Sequence, residues 1–294
     1  MREYLDESTL FSTVMLLVSD AHSLCLVVEG PDDELLIKDH CSDDLVVIAA
    51  TGGREQVLRT AAISTSRGFG RVKFLVDKDF DDFFGAAERP INNVVESDTH
   101  DCFMDVVYHE PRILYRVVEV EAAPVSRKMR ASNAPAVPEA GTMLREAAEV
   151  SLMLSSLRII SGRRELGLDF KKFPFGRVPF YGVSQIAEVL FQRSRYSGRD
   201  RVEIVEEAER LYRELRSEPM SIIGDHDYFA ALAAVMRKYG ASIKDSQLQR
   251  SFLAATLFAC PGLNKTGWFG EVQSWAANYG LRGFTCDEDI AVAV

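Results

Sequence analysis

Three short apolar runs in the first 110 residues have the composition of buried β-strands, and acidic side chains follow each of them. The runs and the acids after them are residues 24–28 with Glu29, residues 72–76 with Asp77 and Asp79, and residues 91–95 with Asp98 and Asp101. Because parallel strands end at a shared edge where ligands bind, we expect these carboxylates to meet in one crevice. Like charges at short range repel each other, so a divalent cation is expected to hold them. The pattern predicts a Mg²⁺ site, which Mn²⁺ can also fill, and chemistry on phosphate.

The order of strand-like and helical segments predicts an α/β fold. A helix is expected to begin at Pro31, because proline is tolerated at the first helical position, and another at residues 54–65. A further strand pair that includes residues 112–117 is expected to complete the sheet. Residues 1–121 are therefore predicted to form the catalytic domain, a parallel sheet flanked by helices.

The composition changes at residues 122–141, which are rich in Ala, Pro and Ser. This change predicts a linker or mobile loop. Residues 142–294 are predicted to form a second, mainly helical domain for substrate binding and dimerisation. The helices expected there span residues 142–160, 201–216, 228–238 and 246–259.

Hydrophobic content of 47% and charged content of 27% are typical of a globular chain, which argues against a disordered one. No apolar run reaches the roughly 18 residues that span a bilayer, and no secretory leader pattern is seen, so no membrane association and a cytoplasmic location are predicted. The five cysteines are scattered and never spaced CxxC. We therefore expect them to be reduced, with neither a disulfide framework nor a zinc site.

The spacing of the acids suggests a division of roles. Asp77 and Asp79 would lie about 6.6 Å apart on one side of an extended strand end, which suits one or two metal ions. Glu29 can bind a metal or act as a general acid or base. Asp98 and Asp101 are expected to hold a second ion. The alternative is that acids after strands are ordinary loop and helix-capping residues.

A basic and aromatic segment offers a place for a nucleic-acid substrate. The net charge is −10, but residues 1–110 carry 22 acidic and 9 basic side chains, whereas residues 111–294 carry 22 acidic and 25 basic ones. Basic groups neutralise phosphates, and aromatic rings stack on unpaired bases. The alternative is a hydrophobic core with a solvated basic rim or a protein interface. The predicted substrate-binding residues are Arg163, Arg164, Lys171, Lys172, Arg177 and His226.

The first two acidic motifs resemble the signature of the TOPRIM domain. Glu29-Gly30 follows one apolar strand, and Asp77-x-Asp79 follows a later one. TOPRIM domains occur in topoisomerases, bacterial primases and OLD-type nucleases, and the resemblance covers about residues 20–110. The segments 98–101 (DTHD) and 224–227 (GDHD) resemble more narrowly the TOPRIM-like nucleases found beside ABC-type ATPases, such as the effector nuclease of the PARIS phage-defence system. The second segment departs from the plain Gly-His-Asp of that motif, so its alignment is open.

The resemblance implies a metal-dependent nuclease. Glu29 would serve acid/base or metal chemistry, and Asp77 and Asp79 would bind Mg²⁺. The resemblance further implies an RNA substrate, transfer RNA in particular, a homodimer as the active form, and an ABC-type ATPase subunit that sequesters or activates the nuclease.

Three alternatives stay open at this point. The first is a DNA endonuclease of the OLD type. The second is a non-catalytic TOPRIM-fold regulatory subunit whose acids only stabilise the fold. The third is a receiver-like signalling domain in which acids at strand ends surround a phosphorylated aspartate.

Overall fold

The computed structural model describes residues 6–19, 22–85, 91–132, 136–178 and 182–286. The chain divides into two compact units. The first unit comprises Met1–Lys78, Ala87–Glu110 and Ala255–Val294, and the second comprises Asp79–Ala86 and Pro111–Ala254. The predicted division into residues 1–121 and 142–294 differs from this one, because the C-terminal segment returns to the unit that contains the sheet.

The first unit contains a sheet of four parallel strands in the order β2–β1–β3–β4. The strands are β1 (Leu24–Val28), β2 (Leu45–Ala49), β3 (Val72–Val76) and β4 (Val94–Glu96). Every residue of β1 is buried, as expected for a central parallel strand covered on both faces. The chain crosses from β1 to β2 on one side and continues with β3 on the other. The switch point of the topology therefore lies between β1 and β3.

Helices flank this sheet, which confirms the predicted α/β class. Numbered along the chain, the helices of the first unit are α1 (Glu7–Leu17), α2 (Pro31–Ile37), α3 (Gly53–Ser66), α5 (Cys102–His109), α12 (Cys260–Leu263) and α13 (Gly267–Ala277). The core between the sheet and helices α1 and α3 is aliphatic and aromatic, with Val14, Val27, Val57 and Phe74 fully buried. Burial of such side chains contributes about 1.5–3 kcal/mol each.

The second unit is helical in its described part. Its helices are α4 (Asp81–Phe84), α6 (Pro111–Ala131), α7 (Ala140–Arg163), α8 (Val183–Arg193), α9 (Arg201–Leu215), α10 (Asp225–Lys238) and α11 (Asp245–Ala255). Helix α7 packs against α6, α8, α9 and α10 and is the central element of the unit. Among the described residues of the chain, no helix combines the length and the apolar character that crossing a bilayer requires.

Helix α6 lies where the sequence predicted a strand and the beginning of a linker. The strand expected at residues 112–117 is wrong, and the first ten residues of the linker expected at 122–141 are helical. Leu114, Val117, Val118 and Ala122 are buried, and their spacing of three and four residues is that of a helix face packed on α7. Pro124 lies within α6, where good helix formers and this packing outweigh its cost. Residues 133–135 of the predicted linker lie outside the described residues.

The predicted helices of the second half form with small shifts. Helix α10 begins at Asp225, three residues earlier than expected, because Gly224 is the N-cap residue. Asp227 therefore lies in the first turn rather than at the cap. Helix α11 ends at Ala255, and a 3₁₀ turn (Thr256–Phe258) continues the chain.

Two of the five cysteines depart from the predicted reduced state. Cys260 and Cys286 form a disulfide, whereas Cys25, Cys41 and Cys102 are free. The two paired residues are 26 positions apart, with no local motif that marks them. They meet because the C-terminal segment folds back beside the start of α12.

Candidate active site

Glu29 and Asp77 meet at the carboxyl end of the sheet. They follow β1 and β3, the two strands on either side of the switch point. Glu29 Oε1 accepts a hydrogen bond of 2.9 Å from the backbone N–H of Asp77. In open parallel sheets the crevice at this position is where ligands bind. The structure thus brings together the first two acids that the sequence expected to meet.

The start of α5 lies beside Asp77. Asp77 Oδ1 accepts a hydrogen bond of 3.4 Å from the backbone N–H of Cys102, the first residue of α5. Asp101 is the N-cap residue, and its Oδ1 accepts from the backbone N–H of Met104 at 2.8 Å. His100 Nδ1 lies 3.3 Å from Asp101 Oδ2. Asp77 and Asp101 therefore share one helix start, where backbone N–H groups stabilise negative charge.

Asp33 is a member of this site that the sequence analysis missed. It lies in the first turn of α2, and its Oδ2 accepts from the backbone N–H of Gly30 at 2.9 Å. Burial, together with the negative charges of Asp101 and Glu29, raises the pKa of Asp33 to about 7, although the hydrogen bond from Gly30 opposes the rise. A carboxyl group with such a pKa can hold or release a proton near neutral pH. Its position in a first helical turn suggested only an interaction with the helix dipole.

Asp98 contacts Gly267 of the C-terminal segment and His109 of α5. Its Oδ1 and Oδ2 accept from the backbone N–H of Gly267 at 3.0 and 2.9 Å, at the start of α13. The same Oδ2 lies 3.6 Å from Nε2 of His109. Its carboxylate caps a helix that returns from the C-terminal segment, and its role as a ligand of a second metal ion stays a prediction.

Asp105 fixes the loop that follows β4. Its Oδ1 accepts from the backbone N–H and the hydroxyl of Thr99, both at 2.7 Å. Its Oδ2 accepts from the backbone N–H of Asp98 at 3.1 Å and from Nε1 of Trp268 at 2.8 Å. Burial raises the pKa of Asp105 to about 6, although the hydrogen bonds from Thr99 and Trp268 oppose it. The four donors make Asp105 a structural acid that positions Asp98 and, through the loop, Asp101.

The extended arrangement predicted for Asp77 and Asp79 is wrong. Strand β3 ends at Val76, and Asp79 has a left-handed backbone with φ of 50°. Alternate side chains share a side only along an extended strand. Asp79 also belongs to the second unit, whereas Asp77 belongs to the first.

The donor set at the switch point suits a hard cation. Mg²⁺ binds through one or two carboxylates and keeps waters and substrate oxygens as its other ligands. Glu29 and Asp77 provide carboxylate oxygens of that kind. Within the described ranges, however, the acids do not form a cage of three ligand atoms within 4.8 Å of one another, and the group that does so is His40, Cys260 and Cys286.

A cavity of about 730 Å³ lies in the second unit. Lys171, Lys172 and His226, three of the predicted substrate-binding residues, line it together. Arg158 joins them; its guanidinium lies 4.8 Å from the ring centre of Phe170 and forms an ion pair with Asp227. The other basic and aromatic lining residues are Arg237, Phe173, Phe175 and Phe229.

The other three predicted substrate-binding residues lie outside the lining of this cavity. Arg164 forms ion pairs with Asp200 and Glu207. Arg163 donates to the backbone oxygen of Phe83 at 3.3 Å, and Arg177 ends a 3₁₀ turn that begins at Phe175. For Arg164 the structural alternative holds, because carboxylates occupy its guanidinium. The guanidinium of Arg158 is likewise paired with a carboxylate, that of Asp227, so the same alternative applies to Arg158.

Comparison of the chain with protein-family models, with curated proteins and with solved structures gives no match. The chain is an α/β protein in which a four-stranded parallel sheet brings carboxylates together at its switch point.

Proposed function

We propose that the chain is a Mg²⁺-dependent endonuclease whose first unit contains a TOPRIM-like domain. The observation that supports this most is the hydrogen bond between Glu29 and the backbone of Asp77 at the switch point of the sheet. It joins the acids of the two sequence motifs that resemble the TOPRIM signature. The narrower resemblance to TOPRIM-like nucleases suggests phosphodiester hydrolysis as the chemistry that these carboxylates and their metal would serve.

In this proposal the acids have different roles. Asp77 holds the metal, and Glu29 binds it as well or moves a proton. When bound, Mg²⁺ supplies Lewis acidity to a phosphoryl oxygen. Asp33 retains a proton near neutral pH and can give it to the leaving oxygen, while the charge of Asp101 helps to keep that proton in place. Asp79 is included as a metal ligand on the strength of the motif resemblance alone.

The substrate we propose is RNA rather than DNA, with transfer RNA as the first candidate. The positive charge of Lys171 and Lys172 at the lining of the cavity in the second unit supports a nucleic-acid ligand, whereas the rings of Phe173, Phe175 and Phe229 are buried and Arg158 is paired with Asp227. Lysine side chains of this kind neutralise the phosphates of a nucleic acid. The preference for RNA rests on the resemblance to PARIS-type nucleases.

The same resemblance suggests how the activity would be controlled. We propose a cytoplasmic, toxic effector of anti-phage defence that is active as a homodimer and is sequestered or released by an ABC-type ATPase subunit. Toxicity on expression that disappears with Asp77→Asn would support a toxic activity that depends on this site.

The test is cleavage of transfer RNA, single-stranded RNA and single-stranded DNA by the full chain with Mg²⁺. Glu29→Gln and Asp77→Asn are suitable variants, because each amide oxygen can still accept the hydrogen bond that the carboxylate accepts. We expect each variant to lose at least about 100-fold in rate, as for the removal of an acid/base or metal-binding group. Melting temperatures should remain within about 3 °C of the parent protein.

A matched control is Glu55→Gln, which alters an exposed acid of α3 that is paired with Arg59 in the same helix. Its cleavage rate should equal that of the parent. Unchanged cleavage by Glu29→Gln would remove the mechanism. A parent protein that binds no Mg²⁺ in calorimetry and cuts none of the three substrates would favour the non-catalytic regulatory subunit.

A further inference from the structure

A histidine and two cysteines come together in the first unit, outside the carboxylate site. His40 Nδ1 lies 3.2 Å from Sγ of Cys286 and 3.4 Å from Sγ of Cys260. The three potential ligand atoms lie within 4.8 Å of one another. His40 ends a 3₁₀ turn after α2, Cys260 begins α12, and Cys286 follows a bridge between Cys41 and Phe284. The chain thus assembles the group from three distant segments.

The second ring nitrogen of His40 determines which atom faces the sulfurs. His40 Nε2 lies 2.9 Å from the backbone oxygen of Thr256. A carbonyl oxygen can only accept, so the proton of the neutral imidazole is on Nε2. Nδ1 therefore directs a lone pair toward Cys260 and Cys286. Histidines that bind metals have this arrangement, in which the far nitrogen donates to a carbonyl and fixes the ring.

A disulfide alone does not satisfy this lone pair. The sulfur atoms of a disulfide carry no proton, so they offer no donor to Nδ1 of the buried His40. A cation between the imidazole and two thiolates would satisfy all three groups. In a tetrahedral zinc site with Zn–N of about 2.0 Å and Zn–S of about 2.3 Å, nitrogen and sulfur lie roughly 3.5 Å apart. The two observed N–S distances, 3.2 and 3.4 Å, are close to that separation.

We propose that His40, Cys260 and Cys286 bind one Zn²⁺ ion when the chain is in its dithiol form. A thiol reductant supplies two electrons and two protons to open the Cys260–Cys286 bond and is itself oxidised to a disulfide. Zinc then replaces the two thiol protons, which leave to solvent. With two thiolates and one neutral imidazole the site carries no net charge, and a solvent water completes the four ligands.

The site would fasten the C-terminal segment to the sheet-containing unit. The backbone N–H of Thr285 donates to the backbone oxygen of His40 at 2.8 Å, and that of Ser42 donates to Gly283 at 3.0 Å. The disulfide and the zinc-bound dithiol thus hold the same segment in two chemical states. This inference is independent of the proposed nuclease activity.

The test uses the full chain, reduced with a phosphine and freed of metal by a chelator. One equivalent of Zn²⁺ should bind per chain in competition with a zinc indicator. Co²⁺ should give the thiolate-to-metal charge-transfer absorption and the strong visible bands of a tetrahedral site. The variants Cys260→Ser, Cys286→Ser and His40→Asn should each weaken zinc binding by at least about 100-fold.

Cys41→Ser is the matched control. Cys41 is adjacent to His40 in sequence but its thiol is directed to the backbone oxygen of Ile37, so its loss should leave one equivalent of zinc bound. A second measurement needs no variant. An organomercurial added to the zinc-loaded parent protein should react with the thiolates of Cys260 and Cys286 and thereby release one zinc ion per chain. A cobalt spectrum without thiolate bands, zinc affinity unchanged by His40→Asn, or a disulfide that resists the phosphine in the folded chain would each overturn the proposal.

Discussion

Asp105 is a buried acid and Asp33 a half-buried one, and their neighbours give them different chemistry. Asp105 accepts from two groups of Thr99, from Asp98 and from Trp268, so its oxygens are committed to the fold. Asp33 accepts from Gly30 and lies within the field of Asp101 and Glu29. Burial raises the pKa of both groups, to about 6 for Asp105 and about 7 for Asp33. Asp33 is therefore the acid suited to proton transfer, because fewer of its oxygens accept hydrogen bonds and because other carboxylates lie near it.

The raised pKa of Asp33 predicts a pH dependence of stability. The ordinary carboxyl value of 3.8 applies to the unfolded chain, whereas the folded chain keeps the proton up to about pH 7. Between pH 3.8 and about pH 7 the unfolded chain has released the proton and the folded chain still holds it, so the free energy of unfolding falls as pH rises. Above about pH 7 both states have lost the proton, and this contribution no longer changes with pH. Asp33→Asn should remove this fall, which is on the order of a few kcal/mol. Urea unfolding of both proteins at several pH values from about 4 to about 8 measures it.

Glu55→Gln serves again as the control for that measurement, because Glu55 is exposed. Its unfolding free energy should follow the pH dependence of the parent protein. If the Asp33→Asn protein also shows the parent's full loss of stability over this range, the buried protonated state assigned to Asp33 is wrong.

Among the helices, α13 shows how an element from the C-terminal segment shapes the candidate site. Its first residue, Gly267, donates to Asp98, and its second, Trp268, donates to Asp105. The two acids belong to the loop and helix that follow β4. The position of this loop therefore depends on a helix that lies far along the chain. The sequence around Asp98 contains no local pattern that predicts its contact with Gly267 of α13.

Trp268→Phe is predicted to destabilise the first unit by about 2–3 kcal/mol. The change removes a hydrogen bond to a buried carboxylate and leaves Asp105 with one donor fewer. The control is Trp275→Phe in the same helix, whose Nε1 donates to the backbone oxygen of Gly70 at a more exposed position, with an expected cost below about 1 kcal/mol. Denaturant unfolding of the two variants compares them, and equal losses would contradict the role given to Asp105.

Over the whole molecule, charge is distributed unevenly despite the net value of −10. Lys171, Lys172 and Arg158 line the cavity of the second unit, whereas the strand ends of the first unit carry acids. A nucleic acid is repelled by the carboxylates unless cations accompany it, and it is attracted by the basic cavity. The distribution favours phosphate binding in the cavity and metal binding at the strand ends.

The double variant Lys171→Ala/Lys172→Ala is predicted to weaken RNA binding by about tenfold or more at low salt. The slope of log affinity against log salt should decrease by roughly 0.7 for each phosphate of a single strand that the variant no longer neutralises. Fluorescence anisotropy with a labelled RNA at several salt concentrations measures both quantities. Lys128→Ala/Lys244→Ala removes two exposed lysines of the second unit that do not line the cavity, and it should bind RNA as the parent does. Equal weakening by the two double variants would show non-specific attraction only.

The amino-acid sequence by itself determined strands β1 and β3, six of the described helices and the acids at the strand ends. Apolar runs, turn residues and helical periodicity are local, so β1, β3 and α9 could be located without any partner. Local composition gave a wrong prediction where packing determines the structure. The Ala- and Pro-rich segment that predicted a linker is helical in α6, because one face of this helix is buried against α7.

Only the tertiary structure decided which side chains meet. The strand order places Glu29 next to Asp77. The C-terminal segment that returns to the first unit brings Gly267 to Asp98, and it brings Cys260 and Cys286 to His40. Such contacts join residues up to 246 positions apart, and they form because neighbouring apolar surfaces must be buried together. A local pattern records that a residue is polar or apolar; the partner it receives depends on how the whole chain packs.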